Sequence, residues 1–305
     1  MIKILFIRKF KKPSGGQIKV KDYFTHCLRH GEIDPYLYFT PDSDWASNSF
    51  WQLAPRGRIV FDVNLKEYDA VFLGGRDWDY LPEIPGALPV INYIQHVKHA
   101  DPDDKRFQYL RRPAWRICVS QEVAAAIAPH TNGEICVIDN GISLELFNAN
   151  ASKIENSILI WARKNPVLGG KIFAALHKKK YRVRLLNDYL PREEFARCLQ
   201  ESDVFVALPH ETEGFYLPAL EAMACGCAVI CSDAVGNRSF CLSEETCLMP
   251  AFDAPDEHLS MIARLLEQPV LKHAVRQRGL AKAKTFTLDA ERQAFDHLLA
   301  KIFRH

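Results

Sequence analysis

Residues 209–232 read PHETEGFYLPALEAMACGCAVICS, and the rest of the chain is best read outward from them. The stretch places Glu213 in a loop, Glu221 on the helix that follows, and an apolar strand after that. Gly214 has no Cβ and lets backbone amides approach a ligand where the helix begins. Pro218 suits a first helical turn, because its missing N–H would have had no partner there. The free N–H groups of that turn, with the positive end of the helix dipole, make an anion site suited to a diphosphate. Two carboxylates with seven residues between them are by themselves an ordinary feature of an amphipathic helix. The whole string, with Gly214, Pro218, Met223 and Gly226 in place, is far more specific.

Composition sets the frame around this stretch. A chain of 305 residues has room for two domains, taking about 150 residues each as a prior. With 48% hydrophobic residues, large cores can form, and a formal charge of +2 gives no global argument for nucleic acid binding. Nine cysteines are an odd number at irregular spacing. Several of them (Cys118, Cys136, Cys231) sit in apolar strand-like runs, where a thiol behaves as a small hydrophobe. That usage suits a reducing cytoplasm rather than a disulfide framework. Cys225, Cys227 and Cys231 cluster without a second pair at zinc spacing, so no metal site is expected. No apolar signal segment precedes the strand beginning at Ile2, and no run approaches the ~18 residues of a spanning helix. The expected location is cytoplasmic, with peripheral attachment to the inner face of a membrane as an option.

Short β-rich runs alternate with helical stretches throughout, the pattern of a parallel sheet with helices on its faces. In the first half the strands fall at 2–7, 35–40, 58–63, 69–74, 88–94, 115–119 and 134–138, with helices at 16–30 and 120–128. Residues 139–156 are rich in turn formers and read as a linker. The second half gives strands at 157–162, 182–187, 203–207 and 227–231. Its helices fall at 167–180, 191–200, 217–225, 255–267, 269–284 and 287–303. The fold class is therefore α/β, with two doubly wound Rossmann-like domains, 1–150 and 151–305, facing a central cleft. A ligand would lie at the carboxyl ends of the strands. The last helix is a candidate to pack back on the first domain.

Residues 213–229 resemble the EGFGLPxLEAMACGxPV signature of retaining, family-four-like glycosyltransferases of the GT-B class (glycosyl transferases group 1). Residues 117–147 are similar to the passage that ends the first domain of that family, and 157–163 look like the strand and arginine that open its second. Residues 233–238 are similar to the loop after the signature helix. The resemblance extends to about two thirds of the chain. It implies a nucleotide-diphosphate sugar as substrate, with no resident cofactor and no metal, and a glycan, lipid-linked or small-molecule acceptor. Glu221 would accept both ribose hydroxyls. Glu213, with backbone amides from Gly214, Phe215, Tyr216 and Leu217, would face the sugar and phosphates. Arg163 would fork onto the departing diphosphate. It implies front-face transfer, in which the leaving phosphate oxygen takes the acceptor's proton. Cell-surface polysaccharide or lipopolysaccharide synthesis is the expected setting.

The family commonly carries a lysine about six residues after that arginine, where this chain has Gly169. Lys164 and Lys171 flank the gap, either as phosphate ligands or as solvated lysines, and Lys171 is the nearer candidate. Gly15 and Gly16 lie between the first strand and a helix, either admitting donor phosphates or supplying a positive φ for a turn. Their basic flanks, Arg8, Lys9, Lys11, Lys12, Lys19 and Lys21 around Phe10, offer a surface for an anionic acceptor or membrane, or a solvated face. After the strand 88–94 the family often places a histidine on the transferred sugar. Gln95 and His96 compete for that place, and His96 is preferred. His210, Glu211 and the trio Arg111, Arg112 and Arg116 read as polar surface more readily than as ligands. Asn140 and Gly141 read as a tight turn into the linker. Ser239 stands where the family commonly has a glutamate. A glycoside hydrolase is poorly supported, because hydrolases aim both carboxylates at one bond. A GT-B sugar-nucleotide epimerase and a non-catalytic nucleotide-sugar-binding subunit remain the alternatives. Consumption of a separate acceptor distinguishes the first, and donor turnover by the isolated chain the second.

Overall fold

The computed structural model describes residues 1–10, 14–44, 57–81 and 88–303. They fall into two units, Met1–Asp139 with Glu291–His305, and Asn140–Ala290. The chain passes from one to the other at the start of the turn-rich segment 139–156, and the last helix crosses back at Glu291.

In the first unit the apolar runs become parallel strands: β1 (Ile2–Arg8), β2 (Ile33–Phe39), β3 (Ile59–Val60), β4 (Ala70–Gly74), β5 (Val90–Ile94), β6 (Trp115–Cys118) and β7 (Ile135–Val137). Among the described residues they form a seven-stranded sheet in the order β3-β2-β1-β4-β5-β6-β7. Helix α1 (Gly15–Arg29) starts at Ser14, whose side chain accepts from the Gln17 amide, and α2 (Gln121–Ile127) starts at Ser120 in the same way. β4 and β5 are buried from end to end, as expected of strands covered on both faces. Phe6 stacks on Phe72 at 4.5 Å, and Tyr23 from α1 meets Phe295 of α8 (Leu288–Phe303) edge-on at 4.8 Å.

Strand order reverses between β1 and β4, which makes their carboxyl ends the switch point of this sheet. An ion pair occupies it. Arg8 at the end of β1 pairs with Asp77, which also accepts from the amides of Lys9 and Gly74.

The second unit runs β8 (Ile154–Trp161), α3 (Pro166–Lys178), β9 (Val183–Leu186), α4 (Arg192–Glu201), β10 (Ser202–Ala207), α5 (Leu217–Ala224), β11 (Ala228–Cys231), α6 (Pro255–Glu267) and α7 (Pro269–Ala283). Its strands are parallel in the order β11-β10-β8-β9, so the switch point lies between β8 and β10. Pro166 opens α3 behind Asn165, whose side chain accepts from the Leu168 amide. Gly169 faces the sheet, where an added Cβ would overlap that of Ala162. No lysine fits at this position without moving α3 off the sheet. Helix α5 closes at Gly226, whose φ of 73° suits a residue without Cβ, and the Cys227 amide returns to Ala222 O at 3.0 Å.

Several expectations are corrected. The basic flank of α1 is not a free cationic face. Lys19 is buried between Asp22 and Glu291, each 2.7 Å away, Arg8 is buried on Asp77, Lys9 pairs with Asp42, and Phe10 is buried. Lys11 and Lys12 lie outside the described residues. Arg116 is wholly buried rather than on a surface, with its guanidinium on Asn92 Oδ1 and the carbonyls of Tyr109 (2.9 Å), Leu110 (3.1 Å) and Arg112. Burial lowers its pKa to about 10. Gly15 and Gly16 do not supply a positive φ. They form the first turn of α1, and the Gln95 side-chain amide rests over Gly16 where a Cβ would point. Gly141 packs on the backbone of Thr287, and Ile142 bridges to Thr287, so Asn140–Gly141 is docked rather than a free turn. All nine cysteines are free thiols. Among the described residues no helix is long and apolar enough to cross a membrane.

Candidate donor site in the second unit

The carboxyl ends of β8 and β10 bring two parts of the sequence together. Arg163 and Lys164 follow β8, and the loop carrying Glu213 follows β10. Lys164 Nζ lies 3.0 Å from Glu213 Oε1. The two form an ion pair without the alignment of a hydrogen bond, and Glu213 Oε1 has no hydrogen-bond partner. The Lys164 side chain is 50% exposed and that of Glu213 13%. Lys171, in contrast, is exposed on α3, away from the face formed by Leu168, Gly169, Ile172 and Leu176. The structure thus joins Lys164 to the signature loop and leaves Lys171 outside it.

The loop itself is held by close backbone packing. The Gly236 amide donates to Glu213 O at 2.9 Å, and an added Cβ at Gly236 would overlap the Gly214 carbonyl. Asn237 Oδ1 accepts from the Tyr216 amide at 3.0 Å and caps the helix start, where Tyr216 has no side-chain cap of its own. That amide is therefore occupied, as is the Ala219 amide, which donates to Tyr216 O at 3.2 Å, while Pro218 has no N–H. Phe215 packs with Phe240 (5.0 Å) and Phe286 (6.0 Å), and Phe215, Tyr216 and Leu217 are all buried. They shape the turn with their side chains, and Phe215 and Leu217 can offer a ligand only backbone.

Glu221, one turn into α5, has a side chain 1% exposed. Its Oε1 receives Arg192 Nη1 at 2.7 Å, and its Oε2 has no hydrogen-bond partner. Arg192 is the first residue of α4, 26% exposed, with its guanidinium over the Phe147 ring at 4.6 Å. The Tyr216 hydroxyl is a further buried polar atom without a partner. Burial pushes its pKa well above 10, helped by Cys231, Glu213 and Glu221 and opposed by Arg163, so the phenol is a neutral donor. The guanidinium of Arg163 lies 5.5 Å over the Tyr189 ring. Buried polar atoms in folded proteins usually have a partner, so the Tyr216 hydroxyl and Glu221 Oε2 leave a donor and an acceptor near the start of one helix that a polar ligand could meet.

Of the residues singled out from sequence, Glu213, Gly214, Phe215, Tyr216, Leu217, Glu221 and Arg163 meet here. Gly15, Gly16 and His96 belong to the first unit. There Gln95 Nε2 reaches Gly16 O at 3.4 Å, and the His96 ring accepts from the Lys98 amide at 3.3 Å, capping a short turn. His210 is exposed, with Nδ1 3.2 Å from Thr212 Oγ1, and the Glu211 carbonyl accepts from the Val235 amide. Sequence reasoning missed Arg192 and Asn237. Each reaches the site across a gap in sequence that no local pattern encodes, although Asn237 lies in the 233–238 loop that resembles the family's.

Comparison with known structures bears on the fold. The chain adopts the same fold as a sucrose-phosphate synthase from Thermosynechococcus elongatus, with a TM-score of 0.75 at 15% identity over 100% of both chains. Anabaena HepE, solved with UDP and glucose, matches at TM-score 0.75 and 14% identity, over 99% of this chain and 100% of that one. A glycosyltransferase from Rickettsia africae matches at 0.74 and 13%, over 100% and 99%. A search of curated proteins found no match. The class defined by two parallel-sheet units and these likenesses is the GT-B glycosyltransferase fold. Residues 152–268, which include β8 to α6 and the whole candidate site, match the glycosyl transferases group 1 family. The second unit is therefore similar in sequence to the group 1 glycosyltransferases, and the chain as a whole has the GT-B fold.

Proposed function

We propose that the protein is a retaining, metal-independent glycosyltransferase that moves a sugar from a nucleotide-diphosphate donor to a glycan, lipid-linked or small-molecule acceptor in surface-glycan synthesis. The observation that carries this reading is Glu221, buried at the start of α5 with one carboxylate oxygen unpartnered, one turn beyond the Glu213 loop at the β8/β10 switch point. A buried acceptor without a partner is costly, and a ribose hydroxyl is a donor of the right kind.

In this reading the diphosphate lies over the first turn of α5, where the remaining backbone amides and the helix dipole favour negative charge. Arg163 and Lys164 stabilise the charge that grows as the bond from the sugar's anomeric carbon to phosphate oxygen breaks. The acceptor oxygen forms its bond to that carbon on the same face, and its proton passes to the departing phosphate oxygen. The protein's contribution is positioning and preorganised charge. The roles of His96 on the transferred sugar, and of Gly15 and Gly16 beside the phosphates, rest on family resemblance alone.

A panel of nucleoside diphosphates and their sugars, headed by the uridine series because HepE was solved with UDP, tests the reading by thermal shift. A ligand at 100 times its Kd adds ~2.7 kcal/mol of stability. Turnover of the stabilising donor by the purified chain, with an α-linked product from an α-linked sugar, supports it. Binding without turnover would leave a sugar-nucleotide-binding subunit, and turnover with no acceptor consumed and the sugar inverted at a ring carbon would make it an epimerase.

A further inference from the structure

The ribose role expected for Glu221 asks both carboxylate oxygens to accept hydroxyls, yet Oε1 is already taken by Arg192 Nη1 at 2.7 Å. Only Oε2 remains. The guanidinium that takes Oε1 is not itself used up. A guanidinium carries N–H groups in a fixed planar fork, and among the described residues Arg192 makes no hydrogen bond other than the one to Glu221. Its side chain is 26% exposed while that of Glu221 is 1% exposed, so its unspent edge is the more open part of the pair. The Phe147 ring, 4.6 Å beneath, supports the plane of the guanidinium and limits how far it can swing away.

We propose that Arg192 is a ligand-binding residue and completes a mixed ribose-recognition pair. Glu221 Oε2 accepts a hydrogen bond from one hydroxyl of the cis-diol, and an N–H of Arg192 donates to the oxygen of the other. A diol hydroxyl is both donor and acceptor, so an acceptor and a donor side by side match it as well as two acceptors do. The Arg192–Glu221 bond fixes the spacing between the two contacts before the ligand arrives, which lowers the ordering cost of binding. The inference rests on the reading of the α5 site as a nucleoside-diphosphate site. It differs from that reading in assigning half of the diol to α4, an element outside the signature.

The test is calorimetric binding of UDP, GDP and ADP, each with its 2′,3′-dideoxy counterpart, to the full chain and to Arg192→Met, Arg192→Lys and Glu221→Gln. The wild type should prefer the ribonucleotide over the dideoxy form by tenfold or more. Arg192→Met should shrink that preference about tenfold by weakening the ribonucleotide and leaving the dideoxy form nearly unchanged. Arg192→Lys, which keeps a cation on Glu221 but loses the fork, should fall between. Equal weakening of both ligands by Arg192→Met and Arg192→Lys would show a structural role only and overturn the inference. Tighter ribonucleotide binding in Arg192→Met would also overturn it, because Arg192 would then be blocking the diol. If Glu221→Gln removes the preference while both Arg192 variants keep it, the inference fails and the α5 reading survives. If no nucleoside diphosphate binds the wild type, both fail together.

Discussion

Lys164 Nζ and Glu213 Oε1 lie 3.0 Å apart across the β8/β10 switch point. The lysine next to the strand-end arginine therefore meets the signature loop, and Lys171 stays on the exposed face of α3. Gly169 cannot be replaced by a lysine in this packing, since its Cβ position is filled by Ala162. In the proposed reading the positive charge for a diphosphate therefore comes from the strand end.

Lys164→Ala should lower kcat for donor turnover at least as much as it weakens donor binding, because the charge it meets grows as the bond breaks. Lys171→Ala should leave both unchanged. Steady-state kinetics on the two variants beside Arg163→Ala checks the assignment. Loss of kcat in Lys171→Ala with Lys164→Ala silent would reverse it.

Glu221→Ala removes a buried carboxylate that faces a cation and offers an acceptor to the ligand. Affinity for donor and free nucleoside diphosphate should fall alike, by ~1.5–3 kcal/mol, the range for hydrogen bonds to a charged group. Calorimetry with the nucleoside diphosphate alone reads this without an acceptor. Unchanged affinity would take Glu221 off the ribose.

Gly236→Ala should destabilise the second unit by about 1–3 kcal/mol, the usual cost of overpacking, because the new methyl overlaps the Gly214 carbonyl. The melting temperature should drop by roughly 2–4 °C for each kcal/mol, and donor affinity should fall with it as the loop carrying Glu213 shifts. A variant with unaltered melting and affinity would contradict the close packing of the two loops.

His99 in the first unit makes stability pH-dependent. Burial, with Arg106, His96 and Arg116 adding and Asp104 opposing, lowers its pKa from 6.5 to about 3. A folded value below the unfolded one means that its contribution is complete above about 6.5 and is lost as pH falls through that value toward about 3. The slope from this one group approaches ~1.4 kcal/mol per pH unit. Asp104, held at about 2 chiefly by Arg106, adds its own loss only below about 4. Urea unfolding at pH 7 and pH 5 should therefore show a clear loss in the wild type and a smaller one in His99→Gln. Equal losses would place the sensitivity elsewhere, with His258, whose pKa is also lowered, as the next group to replace.

If Arg163, Lys164 and the α5 terminus supply the positive field around the diphosphate, as proposed, donor turnover should survive EDTA. Complete loss on chelation, restored by manganese or magnesium, would contradict the proposed site.

Much of the architecture was legible in the chain because its signals are local. Alternating apolar runs and helical periods follow from the backbone's own geometry. The strands and helices read from sequence recur in the structure within a few residues, as at 203–207 against β10 and 255–267 against α6. The Glu213/Glu221 string was legible for the same reason, since a glycine, a proline and two carboxylates at one helix start act over a single turn. Charges were read less well. Arg116, Lys19 and Arg8 look like surface in sequence, yet they are buried on Asn92, Glu291 and Asp77, partners far along the chain. A side chain's charge says nothing of whether a distant partner will compensate its burial.

The sequence by itself determined the two parallel-sheet halves and where helix α5 would start its first turn. Only the tertiary structure decided which cations stand around that turn. Lys164 reaches Glu213 because β8 and β10 are neighbours, and Arg192 reaches Glu221 because α4 starts beside α5. Local backbone preferences specify elements one at a time, whereas an ion pair depends on the strand order that brings two elements side by side, and that order is set by the packing of the whole sheet.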